Sequence, residues 1–373
     1  MTTVRLPARE DLVGLSPYGA PQLNVPICLN VNENPYRPSP RVVEDIAAAV
    51  TQAATNLNRY PDRDFPALRG ALADYLTRES GVPVSGDRVW AANGSNEVML
   101  HLMQAFGGPG RCALSFAPTY SMYHEYARDT HTAWVQGQRN DDFTLDIEQA
   151  VATLQELRPA VLLLASPNNP SGTALPMDHI RRLLDVARTS GPTIGGHVSA
   201  TVVIVDEAYA EFRRQGVPSA LTLSAENPHL VVTRTMSKAF GMAGLRLGYM
   251  VADQAILDQV MLVRLPYHLS SVTQAAALAA LRHSEELMEQ VASLRAERDA
   301  LAVWLADNGF SVTPSDANFV LFGRLPHRDE VFRALLDRGI LIRVVGPDGW
   351  LRVSVGTPEE MAQFRTALLE VTR

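Results

Sequence analysis

The sequence predicts an α/β fold: a mostly parallel seven-stranded sheet covered by helices, followed by a smaller α+β unit and preceded by an arm. Three observations predict it. Seven short apolar segments alternate with amphipathic helical patterns, as in parallel strands joined by crossover helices. The segments are apolar enough to be covered on both faces. After Pro266 the alternation gives way to one long helical run and then to short strands.

Each element can be justified in chain order. Residues 1–35 are rich in Pro and Asn without a regular period, and form an arm that needs another surface to lie on. The strand segments are Val89–Ala92, Cys112–Phe116, Thr132–Gln136, Ala160–Ala165, Val202–Val205, Leu230–Thr233 and Leu247–Val251. Between them Asn96–Phe106, Met122–Asp129 and Met177–Arg188 carry apolar residues at helical spacing. The small-residue stretch Ser190–Thr201 reads as an exposed insertion before the fifth strand. Leu269–Asn308 is helical with a break near His283, and Gly309 stops it. Strands follow at Phe310–Val312 and Asn318–Phe322, then a helix near Asp329–Arg338 and strands at Leu341–Val344 and Leu351–Val355. Thr357-Pro358-Glu359-Glu360 is a capping box that opens the last helix. The expected units are the arm 1–35, a large unit 36–266 and a small unit 267–373.

Composition narrows the function classes. The 373 residues are 46% hydrophobic and 20% charged, with a formal net charge of −7. Without a basic run this argues against nucleic-acid or anionic-membrane partners and toward small molecules. The first residues carry charges of both signs and no apolar core of a secretory signal, and no apolar run reaches membrane-spanning length. Cys28 and Cys112 read as reduced and buried, which suits the cytoplasm. No Cys/His cluster has metal-ligand spacing, so no metal is expected.

The chemistry centres on one residue. Of 33 basic side chains only Lys238 is lysine. Unlike guanidinium, its amine can deprotonate and attack a carbonyl. It follows the strand Leu230–Thr233 in a turn of small residues, an unusual place for a surface lysine. Ligands of open α/β sheets bind beyond the carboxyl ends of the strands. There lie Asn93-Gly94-Ser95-Asn96-Glu97, a helix start able to cradle an anion or simply an N-cap. Tyr120 in Pro118-Thr119-Tyr120 could stack on a flat ring or fill the rim. Asn168 and Asn169 sit between prolines and place amide donors rigidly, or form only a turn. Asp206 ends a strand of Val and Ile, so it needs a cation, either a protonated pyridine nitrogen or a structural arginine. Ser237 and Arg246 suit a phosphate. Taken together, an amine, an acid for a ring nitrogen, donors for a ring oxygen, a stacker and a phosphate pocket are the needs of pyridoxal 5′-phosphate.

These residues carry a resemblance. Leu29–Pro35, Arg59-Tyr60-Pro61-Asp62, Ala92–Glu97, Pro118–Tyr123, Ser166–Gly172, Val205–Tyr209, Thr235–Tyr249 and Leu351–Thr357 resemble the class II aminotransferases of the type I pyridoxal-phosphate fold. The segments at Leu29, Arg59 and Pro118, with Tyr267, resemble the histidinol-phosphate group within them. The resemblance implies roles. Lys238 would be the Schiff-base lysine and the proton carrier, Asp206 the partner of the pyridinium, and Asn169 and Tyr209 donors to the ring oxygen. Tyr120 would stack on the ring. Gly94, Ser95, Asn96, Thr235, Ser237 and Arg246 would hold the cofactor phosphate, with Tyr60 reaching it from the partner subunit of a homodimer. Arg352 would bind the carboxylate of glutamate. Tyr18, Asn34, Tyr267 and Arg343 would face the imidazolyl-propyl phosphate of histidinol phosphate. After Arg343 stands Val344, where family members often have an acidic residue.

The implied reaction exchanges an amino group between L-histidinol phosphate and 2-oxoglutarate, giving imidazole acetol phosphate and L-glutamate. Three other readings share the motifs: an aromatic amino-acid aminotransferase, a phosphothreonine-type decarboxylase, and a ligand sensor that binds the cofactor without turnover. The match in the substrate segments weighs against the decarboxylase. The early start of the cofactor motifs and the negative net charge weigh against a sensor fused to a DNA-binding domain.

Overall fold

The structure, a computed structural model, describes residues 6–372. Its main sheet has seven strands: β1 Val89–Ala92, β2 Cys112–Ala117, β3 Ala133–Gln138, β4 Val161–Ala165, β5 Val202–Asp206, β6 Leu230–Thr235 and β7 Gly248–Val251. Their spatial order is β1-β7-β6-β5-β4-β2-β3. Only β7 runs antiparallel to its neighbours, β1 and β6; the pairs β6–β5, β5–β4, β4–β2 and β2–β3 are parallel. The carboxyl ends of β1 to β6 therefore share one edge. The central strands β4, β5 and β6 are buried at every residue, which is why each reads as an apolar run before polar residues at or just past its carboxyl end. The edge strand β3 alternates exposed and half-buried residues.

Helices α1 Pro40–Ala54, α2 Pro66–Ser80, α3 Ser95–Phe106, α4 Met122–Asp129, α5 Ile147–Leu157, α6 Met177–Ala187, α7 Gln254–Val263 and α8 Ser271–Arg282 accompany this sheet. One close approach matters for the site. A Cβ on Gly248 would lie 2.0 Å from the backbone nitrogen of Ser95, so a glycine in β7 lets α3 begin directly against the sheet.

Arg234 of β6 and Glu207 meet in a buried ion cluster. The buried Arg234 guanidinium bonds Glu207 (2.7 Å), Glu79 (3.0 Å) and Glu211 (3.1 Å), so no charge in this cluster is left alone.

A second sheet holds β8 Ser311–Val312, β9 Phe319–Gly323, β10 Arg343–Val344 and β11 Trp350–Ser354, in the order β8-β9-β11-β10 and antiparallel throughout. It packs with α9 Ser284–Asp307, α10 Arg328–Asp337 and α11 Pro358–Thr372. The capping box of α11 forms: Thr357 N donates to Glu360 Oε2 (2.8 Å), and Glu360 N donates to Thr357 Oγ1 (3.3 Å). Ile27–Cys28 pairs in parallel with Ile340–Leu341.

Three details differ from the sequence reading. Helix α8, assigned above to the small unit, packs on α1, and its Ala277, Ala280 and Leu281 belong to the core of the main sheet. Its alanines permit that close approach. The change of core falls within α9, which places Leu287 in the first core and Leu301 and Leu305 in the second. Cys112 is half-buried at the start of β2, and Cys28 is free but exposed, because its two-residue strand turns Ile27 in and Cys28 out. In the stretch Ser190–Thr201, Thr193–Ile194 and His197–Val198 form an exposed hairpin, while Ser190 and Thr201 themselves are buried.

Candidate active site

A cavity of about 280 Å³ opens at the carboxyl edge of the main sheet. Strand β6 delivers Lys238 to it three residues past its last residue. The lysine is half-buried in the cavity wall, and its amine donates to the carbonyl of Val31 at 2.8 Å. Burial, and then the positive charges of Arg352 and Arg246, pull the lysine down from the ordinary 10.5 to about 8, against an upward pull from Glu33. A lysine tuned in this way is a usable nucleophile and base near neutrality.

Asp206 ends β5 in the same cavity. Its carboxylate accepts from the hydroxyls of Tyr123 (2.9 Å) and Thr233 (3.1 Å) and from the backbone N–H of Ala208 (3.2 Å). Burial raises its pKa, and these three donors oppose that shift. All three donors are neutral, and no ion pair of Asp206 occurs among the described residues. A buried carboxylate so placed can accept a cationic N–H, as a protonated ring nitrogen supplies. Tyr209 is buried beside it, and its hydroxyl accepts from Asn32 Nδ2 at 2.9 Å. Burial pushes the Tyr209 phenol up, and the charge of Arg352 pulls it back. Asn169 Oδ1 accepts from Arg352 Nη1, which leaves the Asn169 amide free to donate. Tyr120 meets Tyr123 edge-on, with centroids 5.5 Å apart.

An anion cradle lies at one end. Gly94 holds φ +82 at the N-cap of α3 and has no side chain to bond the N–H groups that follow it, so the first of them are open to an anion. A Cβ on Gly94 would lie 2.6 Å from Arg246 Nη2. Arg246 itself holds the left-handed φ +57, and its Nη1 lies 3.4 Å from Ser237 Oγ. Ser95, Asn96, Thr235, Ser237 and Arg246 all line the cavity. The donors, the guanidinium and the missing Cβ fit a phosphate monoester.

The sequence profile of aminotransferase class I and II matches residues 25–368. The chain belongs to this family. The aminotransferase is 55% identical to the histidinol-phosphate aminotransferase of Bifidobacterium adolescentis, over 99% of this chain and 96% of that one. It is 58% identical to the histidinol-phosphate aminotransferase of Thermobifida fusca, over 98% and 96%. The crystal structure of histidinol-phosphate aminotransferase from Sinorhizobium meliloti in complex with pyridoxal-5′-phosphate superposes with a TM-score of 0.80 at 25% identity, covering 94% of this chain and 91% of that one.

The cavity of the aminotransferase brings together most of the residues singled out from the sequence. Lys238, Asp206, Tyr209, Asn169, Tyr120, Tyr18, Arg343 and Arg352 line it with the cradle residues. Gly94 stands directly behind Arg246. Arg352 is buried, donates to Asn30 O at 2.7 Å and lies 5.0 Å from the centre of the Phe319 ring. Its burial lowers its pKa to about 10, so it stays charged at neutral pH.

Three residues are not brought into this cavity. Asn34 is bound to backbone instead, Nδ2 to Ala239 O (3.2 Å) and Oδ1 to Tyr36 N (3.0 Å). Tyr60 and Tyr267 stack on each other, with centroids 4.5 Å apart, and are 80% and 41% exposed. Tyr123, Thr233 and Asn32, which orient Asp206 and Tyr209, were assigned no role from sequence. Tyr123 had a weak signal, lying one helical step beyond Tyr120. Thr233 faces Asp206 only because the two are register partners across β6 and β5.

Proposed function

We propose that this aminotransferase interconverts L-histidinol phosphate and 2-oxoglutarate with imidazole acetol phosphate and L-glutamate, using pyridoxal 5′-phosphate. One observation carries it: a single cavity holds an amine of depressed pKa, a buried carboxylate without a cation, an anion cradle, and two further arginines. The identity of 55% to 58% with histidinol-phosphate aminotransferases over nearly the full chain supports the substrate.

When bound, the cofactor supplies an electrophilic carbon and a ring that accepts electron density. The chain supplies the rest. Lys238 would hold the cofactor covalently, and as a free amine its Nζ would take the proton from the substrate carbon and hand it to the cofactor carbon. Asp206, its carboxylate fixed by Tyr123 and Thr233, would hold a proton at the ring nitrogen. Tyr209 and Asn169 would donate to the ring oxygen, Tyr120 would cover the ring face, and the cradle with Arg246 would bind the phosphate. Arg352 takes the carboxylate of glutamate and Arg343 the phosphate of histidinol phosphate, so the alternating substrates use different cations.

The same reading makes the active unit a homodimer. The exposed stack of Tyr60 and Tyr267 stands outside its own cavity, which supports Tyr60 reaching the cofactor phosphate, and Tyr267 the substrate, in a partner subunit. Two unpaired cysteines suit a cytoplasmic location. Among the described residues no helix is long and apolar enough to cross a membrane.

A half-reaction tests the substrate. The cofactor-loaded protein is mixed with L-histidinol phosphate and no oxo acid, and the visible cofactor band is followed, with phenylalanine and glutamate in parallel. Bleaching at a far lower concentration of histidinol phosphate than of phenylalanine is expected. Bleaching led by phenylalanine reassigns the pocket, and a protein that acquires no visible band loses the proposal.

A further inference from the structure

The side chain of Asn93 touches two elements that the proposed function uses separately. Its Nδ2 donates to the backbone carbonyl of His268 at 2.9 Å and to Glu97 Oε2 at 2.8 Å, and its own N–H donates to the same Glu97 oxygen at 2.6 Å. The residue after Asn93 is Gly94, which opens the anion cradle. The residue before His268 is Tyr267, whose left-handed φ of +60 is rare for a side chain of that size.

His268 is fixed on its other side as well. Its Nε2 lies 3.0 Å from Ala91 O, and its ring stacks on Trp90 with centroids 5.3 Å apart. The turn carrying Tyr267 is thus clamped at its next residue, and the clamp presents the Tyr267 ring to Tyr60. Ordinary helix capping accounts for the contacts of Asn93 with Glu97. It does not account for the bond to His268, which is 175 residues away in sequence.

We propose that Asn93 is a positioning residue for the Tyr60–Tyr267 pair, tying that pair to the helix start that holds the cofactor phosphate. The inference rests on the dimeric aminotransferase reading. In that dimer Asn93 stands one residue from its own phosphate cradle and holds the carbonyl next to the tyrosine given to the partner's substrate site. Loss of Asn93 then acts through Tyr267, on the substrate that Tyr267 faces, and spares glutamate, whose carboxylate is held by Arg352.

The experiment is a double-mutant cycle on the cofactor-loaded full chain, with Asn93→Ala, Tyr267→Ala and both together. Steady-state kinetics are measured separately for histidinol phosphate and for glutamate in the reverse direction. Asn93→Ala is expected to raise the KM for histidinol phosphate about tenfold, the factor one lost hydrogen bond gives. The kcat and the KM for glutamate should stay within about twofold. The double variant should be no worse than Tyr267→Ala, since a residue acting through another adds nothing once that other is gone. Asn93→Ser, too short to reach the His268 carbonyl, replaces Asn93→Ala if the latter does not fold, with the same split expected. Multiplying effects in the double variant, equal losses for both donors, or an unchanged KM for histidinol phosphate overturns the proposal. A wild-type protein without activity on histidinol phosphate overturns the substrate reading beneath it, an outcome seen before any variant is made.

Discussion

Because Lys238 is the only lysine, labelling the protein with [ε-13C]lysine places one side-chain reporter in the molecule, and that reporter lies in the cavity. Burial first, then the charge of Arg352, lowers its pKa from the ordinary 10.5 to about 8. The fall of about 2.5 is about 3 kcal/mol at 1.36 kcal/mol per pKa unit. At pH 7.5 about a quarter of the molecules then carry a neutral amine, against about one in a thousand for an ordinary lysine. The nucleophilic form is enriched about 200-fold before any cofactor arrives. The assay follows the 13C shift of the cofactor-free protein from pH 6 to 11, with an expected midpoint near 8. Arg352→Gln removes the second cause and leaves the first, so its midpoint should rise without reaching 10.5. A wild-type midpoint at or above 10, or a fall in Arg352→Gln, would refute the assignment of the shift to burial and neighbouring charge.

Two further predictions concern stability and cofactor affinity. Below pH 8 the folded chain carries a buried ammonium that costs nothing in the unfolded chain. Between pH 8 and 10.5 the unfolded state binds the proton that the folded state has released, so this contribution to stability rises with pH across that window. Lys238→Met removes the charge and one hydrogen bond to Val31 O, the latter worth about 1 kcal/mol. The cofactor-free variant should therefore be about 2 kcal/mol more stable than wild type at pH 7 in denaturant titrations, with the gain shrinking toward pH 10.5; a less stable variant at pH 7 contradicts this. Gly94→Ala forces a Cβ to within 2.6 Å of Arg246 Nη2 at φ +82, a backbone cost of about 1–2 kcal/mol added to a displaced guanidinium. Cofactor titration should show the Kd rise at least about tenfold, and an unchanged Kd would mean that the cradle does not hold the phosphate.

The aminotransferase shows where sequence information is local and where it is not. The central strands are legible because burial on both faces favours apolar runs, and β4, β5 and β6 are buried throughout. A lone lysine in a small-residue turn and an aspartate closing a Val/Ile strand stand out for the same reason: neither is stable at such a place without a purpose or a partner. The capping box of α11 is contained in four consecutive residues.

What the sequence left open depends on contacts between distant segments. Only strand register sets Thr233 against Asp206, only the packing of α4 brings the Tyr123 hydroxyl to the same carboxylate, and only the return of the arm lays Asn32 on Tyr209. The burial of Lys238 that lowers its pKa is likewise made by segments far from it in sequence. By itself the sequence marked the strands, part of the helices and the candidate reactive side chains, because propensity and patterning act within a few residues. The tertiary structure alone decided their hydrogen-bond partners and protonation, and turned the Tyr60–Tyr267 stack outward, because those follow from which surfaces meet.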